Sequence, residues 1–197
     1  MMDRSEKVLA YASELYHKAP TSMGEWMWRH HTQWVAGKAK QLAEKYGADA
    51  EIVYCAALLH DVADAKFERD YADFDAWSWD KAKEVLKNSG FRKVTRDQIL
   101  EAIRTHSCHP GQLPTALEGR VLATADAMWH LQTNFFPVIC YMNRPDNTHA
   151  YEEWQNWFVQ KIQRDYDTKI FFGDEKSEVK ADYEALLRVF SNQTLSS

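Results

Sequence analysis

The chain has 197 residues and a formal net charge of −5, with 7 glycines, 5 prolines and 3 cysteines. So few turn-forming residues argue against an all-β sandwich or barrel, which needs a turn about every 8–12 residues. The acidic total and the lack of a Lys/Arg cluster argue against duplex nucleic acid as a partner. The sequence shows no secretory signal and no apolar run near the ~18 residues of a membrane span. Three widely spaced cysteines are typical of a reducing cytoplasm.

The first half of the sequence predicts long helices. The first spans residues 5–19 and ends before Pro20. A second is expected over residues 24–46, ended by Gly47. One face of that second helix carries six residues spaced by three or four positions: Met27, His31, Val35, Ala39, Leu42 and Tyr46.

A third helix is expected over residues 49–64, with Asp49 as its N-cap and His60 and Asp61 toward its inner end. Residues 66–75 are expected to form a loop. This prediction places a histidine and an aspartate side by side on the buried part of one helix.

The next helix is predicted over residues 75–89 and is ended by Gly90. Thr95 and Gln98 then predict a capping box at the start of another helix, whose inner face includes His106. The remaining elements are a loop over 108–114, a helix from about 115 with Asp126 on its apolar stripe, a short helix over 135–141, a helix over 149–171 and a last helix through Phe190.

Three of these helices carry a metal-competent side chain where an apolar one is expected. They are His31, the pair His60 and Asp61, and Asp126. A buried ionised carboxylate costs several kcal/mol unless it is paired or bound to a metal. A single divalent ion bound by the two imidazoles and two carboxylates would satisfy all four side chains. This donor set favours Mn, Fe, Co, Ni, Zn or Mg. A water on an open coordination position has a lowered pKa and can attack as hydroxide.

Two stretches carry a recognisable pattern: RHHTQWVAGKAKQLAEKYGADAEIVYCAALLHDVADAKF and, further along, VLATADAMWHL. With its first histidine, its Ala-Leu-Leu-His-Asp block and its distant Ala-Asp, the sequence resembles the HD-domain superfamily of metal-dependent phosphohydrolases over about residues 29–131. The resemblance implies an all-α fold, an HD-domain helical bundle with additional C-terminal helices. It also implies one divalent metal on His31, His60, Asp61 and Asp126, and cleavage of phosphate esters or anhydrides, often in nucleotides.

The residues after the His-Asp pair depart from the commonest pattern, in which Ile/Leu-Gly follows. Here Val-Ala-Asp-Ala-Lys-Phe resembles the His-Asp-Val-x-Asp-x-Lys-Phe version of one set of soluble bacterial phosphohydrolases. Asp64 is expected one helical turn beyond His60, where it would orient the attacking water or shuttle a proton. Lys66 would bind a phosphate oxygen. The alternatives are a helix cap and a solvated lysine.

Two adjacent histidines compete for the first ligand position. His31 is favoured because it aligns with Val35 on the apolar stripe, whereas His30 projects toward the helix edge. From that edge His30 and Arg29 could contact substrate. Arg29 is therefore a candidate substrate-binding residue.

Three further histidines leave two interpretations open. Some HD proteins hold a second metal with two extra histidines in the region of His106 and His109, so a binuclear site is permitted. Substrate contact or a buried hydrogen bond is favoured instead. His106 and His130 are therefore expected to bind substrate, and His130 lies one turn beyond Asp126.

Together these features predict a cytoplasmic, single-domain phosphohydrolase over residues 1–197, with a motif core at about 24–131 and C-terminal helices at about 148–192 packed on it. Its substrate is expected to be a nucleotide or another small phosphorylated metabolite. The alternatives are a di-iron oxygenase on the same scaffold and a non-catalytic metal- or nucleotide-binding regulatory module. Aromatic residues outside the motif also permit a homodimer.

Overall fold

The computed structural model describes residues 2–20, 22–67, 72–142 and 151–191, and within these ranges the fold is all-α, without strands. The helices are α1 (Arg4–His17), α2 (Ser22–Trp26), α3 (Gln33–Tyr46), α4 (Ala50–Leu59), α5 (Phe74–Asn88), α6 (Lys93–Thr105), α7 (Leu117–Gln132), α8 (Phe135–Met142), α9 (Tyr151–Arg164), α10 (Gly173–Glu178) and α11 (Lys180–Phe190). Three shorter elements are a first π-turn (Met27–Thr32), a 3₁₀ turn (Val62–Ala65) and a second π-turn (Asp165–Lys169). None of the described helices could cross a membrane.

The chain forms two compact units, Met1–Ala125 and Asp126–Ser197, and the division falls within α7. In the first unit α4 is the central helix, packed against α1, α3 and α6. Its sequence is apolar nearly all round, which is typical of a helix buried on every side. His60 and Asp61 follow directly after α4, so both predicted metal ligands lie at the end of this buried helix.

Local signals at both ends of the α3–α4 connection are confirmed. Gly47 takes a left-handed φ of 77° and ends α3. Asp49 caps α4, and its side chain accepts hydrogen bonds from the backbone amides of Glu51 and Ile52. These caps fix where α4 starts, and therefore where His60 lies at its other end.

The predicted third helix is too long, because α4 ends at Leu59 rather than at residue 64. Asp61 leaves the helical region, with φ −117° and ψ 31°. Hydrogen bonds from other elements replace the helical ones: Tyr16 Oη donates to the Asp61 carbonyl at 2.8 Å, and the Ala63 amide donates to Ser78 Oγ at 3.0 Å. Asp64 therefore lies on the 3₁₀ turn, and its expected place one α-helical turn beyond His60 is wrong.

The second predicted helix is confirmed with an irregular turn inside it, and one capping prediction is wrong. The helix predicted over residues 24–46 is divided by the first π-turn into α2 and α3. The capping box does not form, because α6 begins at Lys93, with Arg92 as N-cap and no side-chain cap, so Thr95 is already inside the helix. Gly90 takes a left-handed φ of 86°, and Phe91 directly after it is buried.

The second unit is built around α9 and α11. Three phenylalanine rings pack together, with the Phe158 and Phe190 centroids 4.8 Å apart and Phe136 within 5.9 Å of both. This supports packing as the role of the C-terminal aromatic residues. The predicted helix start at His149, part of the 148–192 range and residues 68–71 of the expected loop lie outside the described residues.

Candidate metal centre

Two of the predicted ligands converge at the end of α4. His31 is fully buried on the first π-turn, and His60 is buried immediately after α4. The Nε2 atoms of His31 and His60 are 2.9 Å apart. Asp61 Oδ2 is 3.5 Å from each of them. Short π-helical turns often mark functional sites, and here one carries His31.

The hydrogen bond of His60 to its own helix assigns its tautomer. Nδ1 lies 2.7 Å from the carbonyl oxygen of Ala57, which can only accept, so Nδ1 carries the proton. The Nε2 lone pair of the neutral ring is then directed away from the helix, toward His31. Metal-binding histidines commonly donate their other ring N–H to a carbonyl in this way.

The spacing of these donors fits a divalent ion. Ligand bonds of ~2.1 Å place neighbouring donors of one ion about 3.0–3.4 Å apart for octahedral and tetrahedral geometry. The three distances among His31, His60 and Asp61 are 2.9, 3.5 and 3.5 Å. Two neutral nitrogen donors and one carboxylate suit Mn, Fe, Co, Ni or Zn.

His106 joins a second group of potential ligands. One donor atom from each of His60, Asp61 and His106 lies within 4.8 Å of the others. His106 Nδ1 lies 2.6 Å from the carbonyl oxygen of Ile103, which assigns the proton to Nδ1 as in His60. The rings of His60 and His106 meet edge to face, 5.0 Å apart. His106 is thus beside the His60–Asp61 pair, whereas His109 is exposed in the loop after α6.

The carboxylate and lysine that follow the His-Asp pair take different environments. Asp64 is only 3% exposed on the 3₁₀ turn. Lys66 is exposed and borders a cavity of about 390 Å³ that Lys18, Lys81 and Trp77 also line. Its Nζ lies 5.2 Å from the centroid of the Trp77 ring. Two of these lysines are ion-paired, Lys18 with Glu14 at 2.5 Å and Lys81 with Glu84 at 2.6 Å.

The edge residues of the first π-turn lie on the surface. Arg29 is exposed and forms an ion pair with Glu25 at 2.5 Å. His30 is also exposed, and its ring lies 5.6 Å from that of Trp26. The two adjacent histidines therefore face opposite ways, as expected, with His31 buried and His30 exposed.

Asp126 lies in the second unit, on α7, and is 3% exposed. Lys169 Nζ donates a hydrogen bond to Asp126 Oδ2, and His130 Nε2 lies 3.7 Å from Asp126 Oδ1. Burial lowers the pKa of His130, against the opposite effect of Asp126. Lys169 is not predictable as a partner of Asp126 from the sequence, because a lysine four residues after Asp165 is typical of a surface ion pair.

The HD domain family model matches residues 28–128, slightly more than half of the chain. The chain belongs to the HD domain family. The matched region contains His31, His60, Asp61 and Asp126, so the HD domain assignment and the chemistry of the clustered histidines agree. The HD domain is an all-α fold of a metal-dependent phosphohydrolase superfamily.

Among solved structures, this HD domain protein is similar to YpgQ from Bacillus subtilis, whose crystal structure is of a complex with ADP. The likeness has a TM-score of 0.65 at 21% sequence identity and covers 93% of each chain. It therefore extends the shared fold beyond the HD match into the C-terminal helices. No curated protein matches the chain.

Proposed function

We propose that this HD domain hydrolyses a phosphate ester or anhydride in a nucleotide or another small phosphorylated metabolite. A divalent ion would be held by His31, His60, Asp61 and Asp126. The observation that carries the proposal is the convergence of His31 Nε2, His60 Nε2 and Asp61 Oδ2 within 3.5 Å. The family pattern supplies Asp126 as the fourth ligand. When bound, such an ion polarises a phosphoryl oxygen and lowers the pKa of water.

Asp64 is the proposed proton-handling residue. Its carboxylate is buried and lies three residues beyond Asp61 on the 3₁₀ turn. A buried carboxylate this close in the chain to a proposed ligand can hold the attacking water and accept its proton. The 3₁₀ turn is anchored to α5 by the hydrogen bond from the Ala63 amide to the Ser78 hydroxyl oxygen.

The substrate's phosphate groups are proposed to contact Lys66 and His106. Lys66 is exposed at the edge of a cavity, where its ammonium group could bind a phosphate oxygen. His106 Nε2, with the proton on Nδ1, can accept a hydrogen bond from water or a protonated phosphate. Further substrate contacts are proposed for His130 and Arg29. The ADP in the YpgQ structure supports a nucleotide as the substrate class.

An activity panel tests the proposal. Nucleoside mono-, di- and triphosphates would be incubated with the protein and Mn²⁺, Co²⁺, Ni²⁺ or Mg²⁺, and phosphate and pyrophosphate release measured. We expect metal-dependent release from at least one nucleotide, abolished by Asp61→Ala. No release in any combination, from protein that demonstrably binds the metal, would favour a non-catalytic regulatory module instead.

A two-metal site is the second candidate, and the grouping of His60, Asp61 and His106 favours it. In that case the protein would bind two ions per chain, and His106→Ala would remove one of them. If the two ions were iron and oxygen were consumed, the oxygenase alternative would replace hydrolysis. Elemental analysis of the parent and of His106→Ala distinguishes one ion from two.

A further inference from the structure

Five ionisable side chains form a network in the second unit, and all of them except Lys161 are buried. The members are Asp126 and His130 on α7, Lys161 on α9, and Asp165 and Lys169 on the second π-turn. Asp165 is fully buried and Lys169 is 2% exposed. All of them except Asp126 lie outside the residues that match the HD domain.

Asp165 is the centre of this network. Its Oδ2 lies 2.9 Å from Lys161 Nζ and 3.0 Å from His130 Nδ1, and its Oδ1 lies 3.9 Å from Lys169 Nζ. Burial alone would raise the pKa of Asp165, but Lys161, His130 and Lys169 hold that pKa well below its usual range. Asp165 is therefore a fixed negative charge that keeps Lys169 in place.

Lys169 connects Asp165 to Asp126. Its Nζ donates to Asp126 Oδ2, and both carboxylates raise the pKa of Lys169, although burial lowers it. The Lys169 ammonium group is therefore in direct contact with one oxygen of the Asp126 carboxylate. Replacing a buried ion pair by apolar residues is often neutral or stabilising, so stability alone does not account for keeping one.

A divalent ion and Lys169 would compete for the same carboxylate. We propose that Lys169 is a positioning residue that shares Asp126 with the metal and thereby lowers the metal affinity of the site. The proposal rests on the proposed function, in which Asp126 is a ligand.

The test is Mn²⁺ binding by the full chain, measured by calorimetry for the parent, Lys169→Met and Lys169→Arg. We expect Lys169→Met to bind Mn²⁺ about tenfold more tightly or better, since it removes a positive charge next to a ligand. Lys169→Arg keeps that charge and should stay within about threefold of the parent. Lys40→Met, at an exposed position on α3, is the matched control and should leave affinity unchanged.

If Lys169→Met folds poorly without metal, the shift in Tm on adding Mn²⁺ provides a second measure of metal binding. Loss of Lys169 leaves Asp126 buried without its ammonium partner, so Mn²⁺ should raise the Tm of Lys169→Met more than that of the parent. Unchanged or weaker Mn²⁺ binding by Lys169→Met would overturn the proposal, because a purely structural lysine predicts that result. If Asp126→Asn binds Mn²⁺ as the parent does, the ligand assignment itself fails, whatever Lys169→Met shows.

Discussion

The ring of His60 is fixed by the backbone of its own helix, since its Nδ1 donates to the Ala57 carbonyl oxygen at 2.7 Å. This bond turns Nε2 toward His31, 2.9 Å away. The hydrogen bond therefore orients Nε2 without a bound ion, which reduces the entropy lost when a metal binds. Because the acceptor is a main-chain carbonyl, this hydrogen bond does not depend on the side chain of Ala57.

Removing His60 or Asp61 should abolish tight metal binding. Each of His60→Ala and Asp61→Ala takes away one donor of a closely spaced set, so we expect the bound metal to fall below about a tenth of the parental content. Elemental analysis after gel filtration measures this. His17→Ala, at an exposed histidine on α1, is the control. Parental metal content in both Asp61→Ala and His60→Ala would refute the site assignment.

Asp64→Asn should separate chemistry from metal binding. The substitution keeps the size of the side chain but removes the proposed proton acceptor, so turnover should fall by about a hundredfold or more. The metal content should stay at the parental value, as measured by elemental analysis of the same preparation. If Asp64→Asn turns over nucleotide at the parental rate, Asp64 is only part of the 3₁₀ turn.

Gly24 and Gly37 should respond in opposite directions to alanine. A Cβ on Gly24 would lie 2.4 Å from Ala19 Cβ and 3.2 Å from the Asp64 carbonyl oxygen, so Gly24→Ala should cost about 1–3 kcal/mol. Nothing lies within 4 Å of a Cβ on Gly37 in α3, so Gly37→Ala should stabilise by about 0.5–1 kcal/mol.

Urea unfolding of both glycine variants checks these signs. Because the Gly24 clash reaches the turn that carries Asp64, Gly24→Ala should also reduce turnover in the folded protein. A Gly24→Ala variant as stable as Gly37→Ala would show that α2 moves freely away from that turn.

Asp165 should make stability depend on pH in acid. Burial raises its pKa, but Lys161 and the other cations outweigh burial and lower it in the folded state. The stabilisation is therefore present above the unfolded pKa of ~3.9 and is lost as pH falls through the lower folded value. We expect the Tm difference between the parent and Asp165→Asn to be largest near neutral pH and to shrink below about pH 4.

Calorimetric melting of both proteins across pH 3–7 measures this difference. The exposed pair of Lys93 and Asp97, 2.7 Å apart, offers a control, since Asp97→Asn should change Tm little at any pH. A Tm difference for Asp165→Asn that grows as pH falls would contradict the assigned charge of Asp165.

Much of the architecture follows from local sequence. The spacing of apolar residues along α3 predicted which face is buried, and it separated His31 from His30, because helical periodicity is a property of neighbouring residues. Gly47 and Asp49 marked the helix ends for the same reason. The Ala-Leu-Leu-His-Asp block and the later Ala-Asp identified the HD domain family.

Tertiary structure decided what local sequence could not. The helix α4 ends before Asp64, and a 3₁₀ turn follows it. In this region Tyr16 donates a hydrogen bond to the Asp61 carbonyl and Ser78 accepts one from the Ala63 amide, although both residues are distant in the chain. The spacing of Lys161, Asp165 and Lys169 is equally suited to solvent-exposed ion pairs. Only packing removes Asp165 and Lys169 from water, and this burial brings them into one network with Asp126.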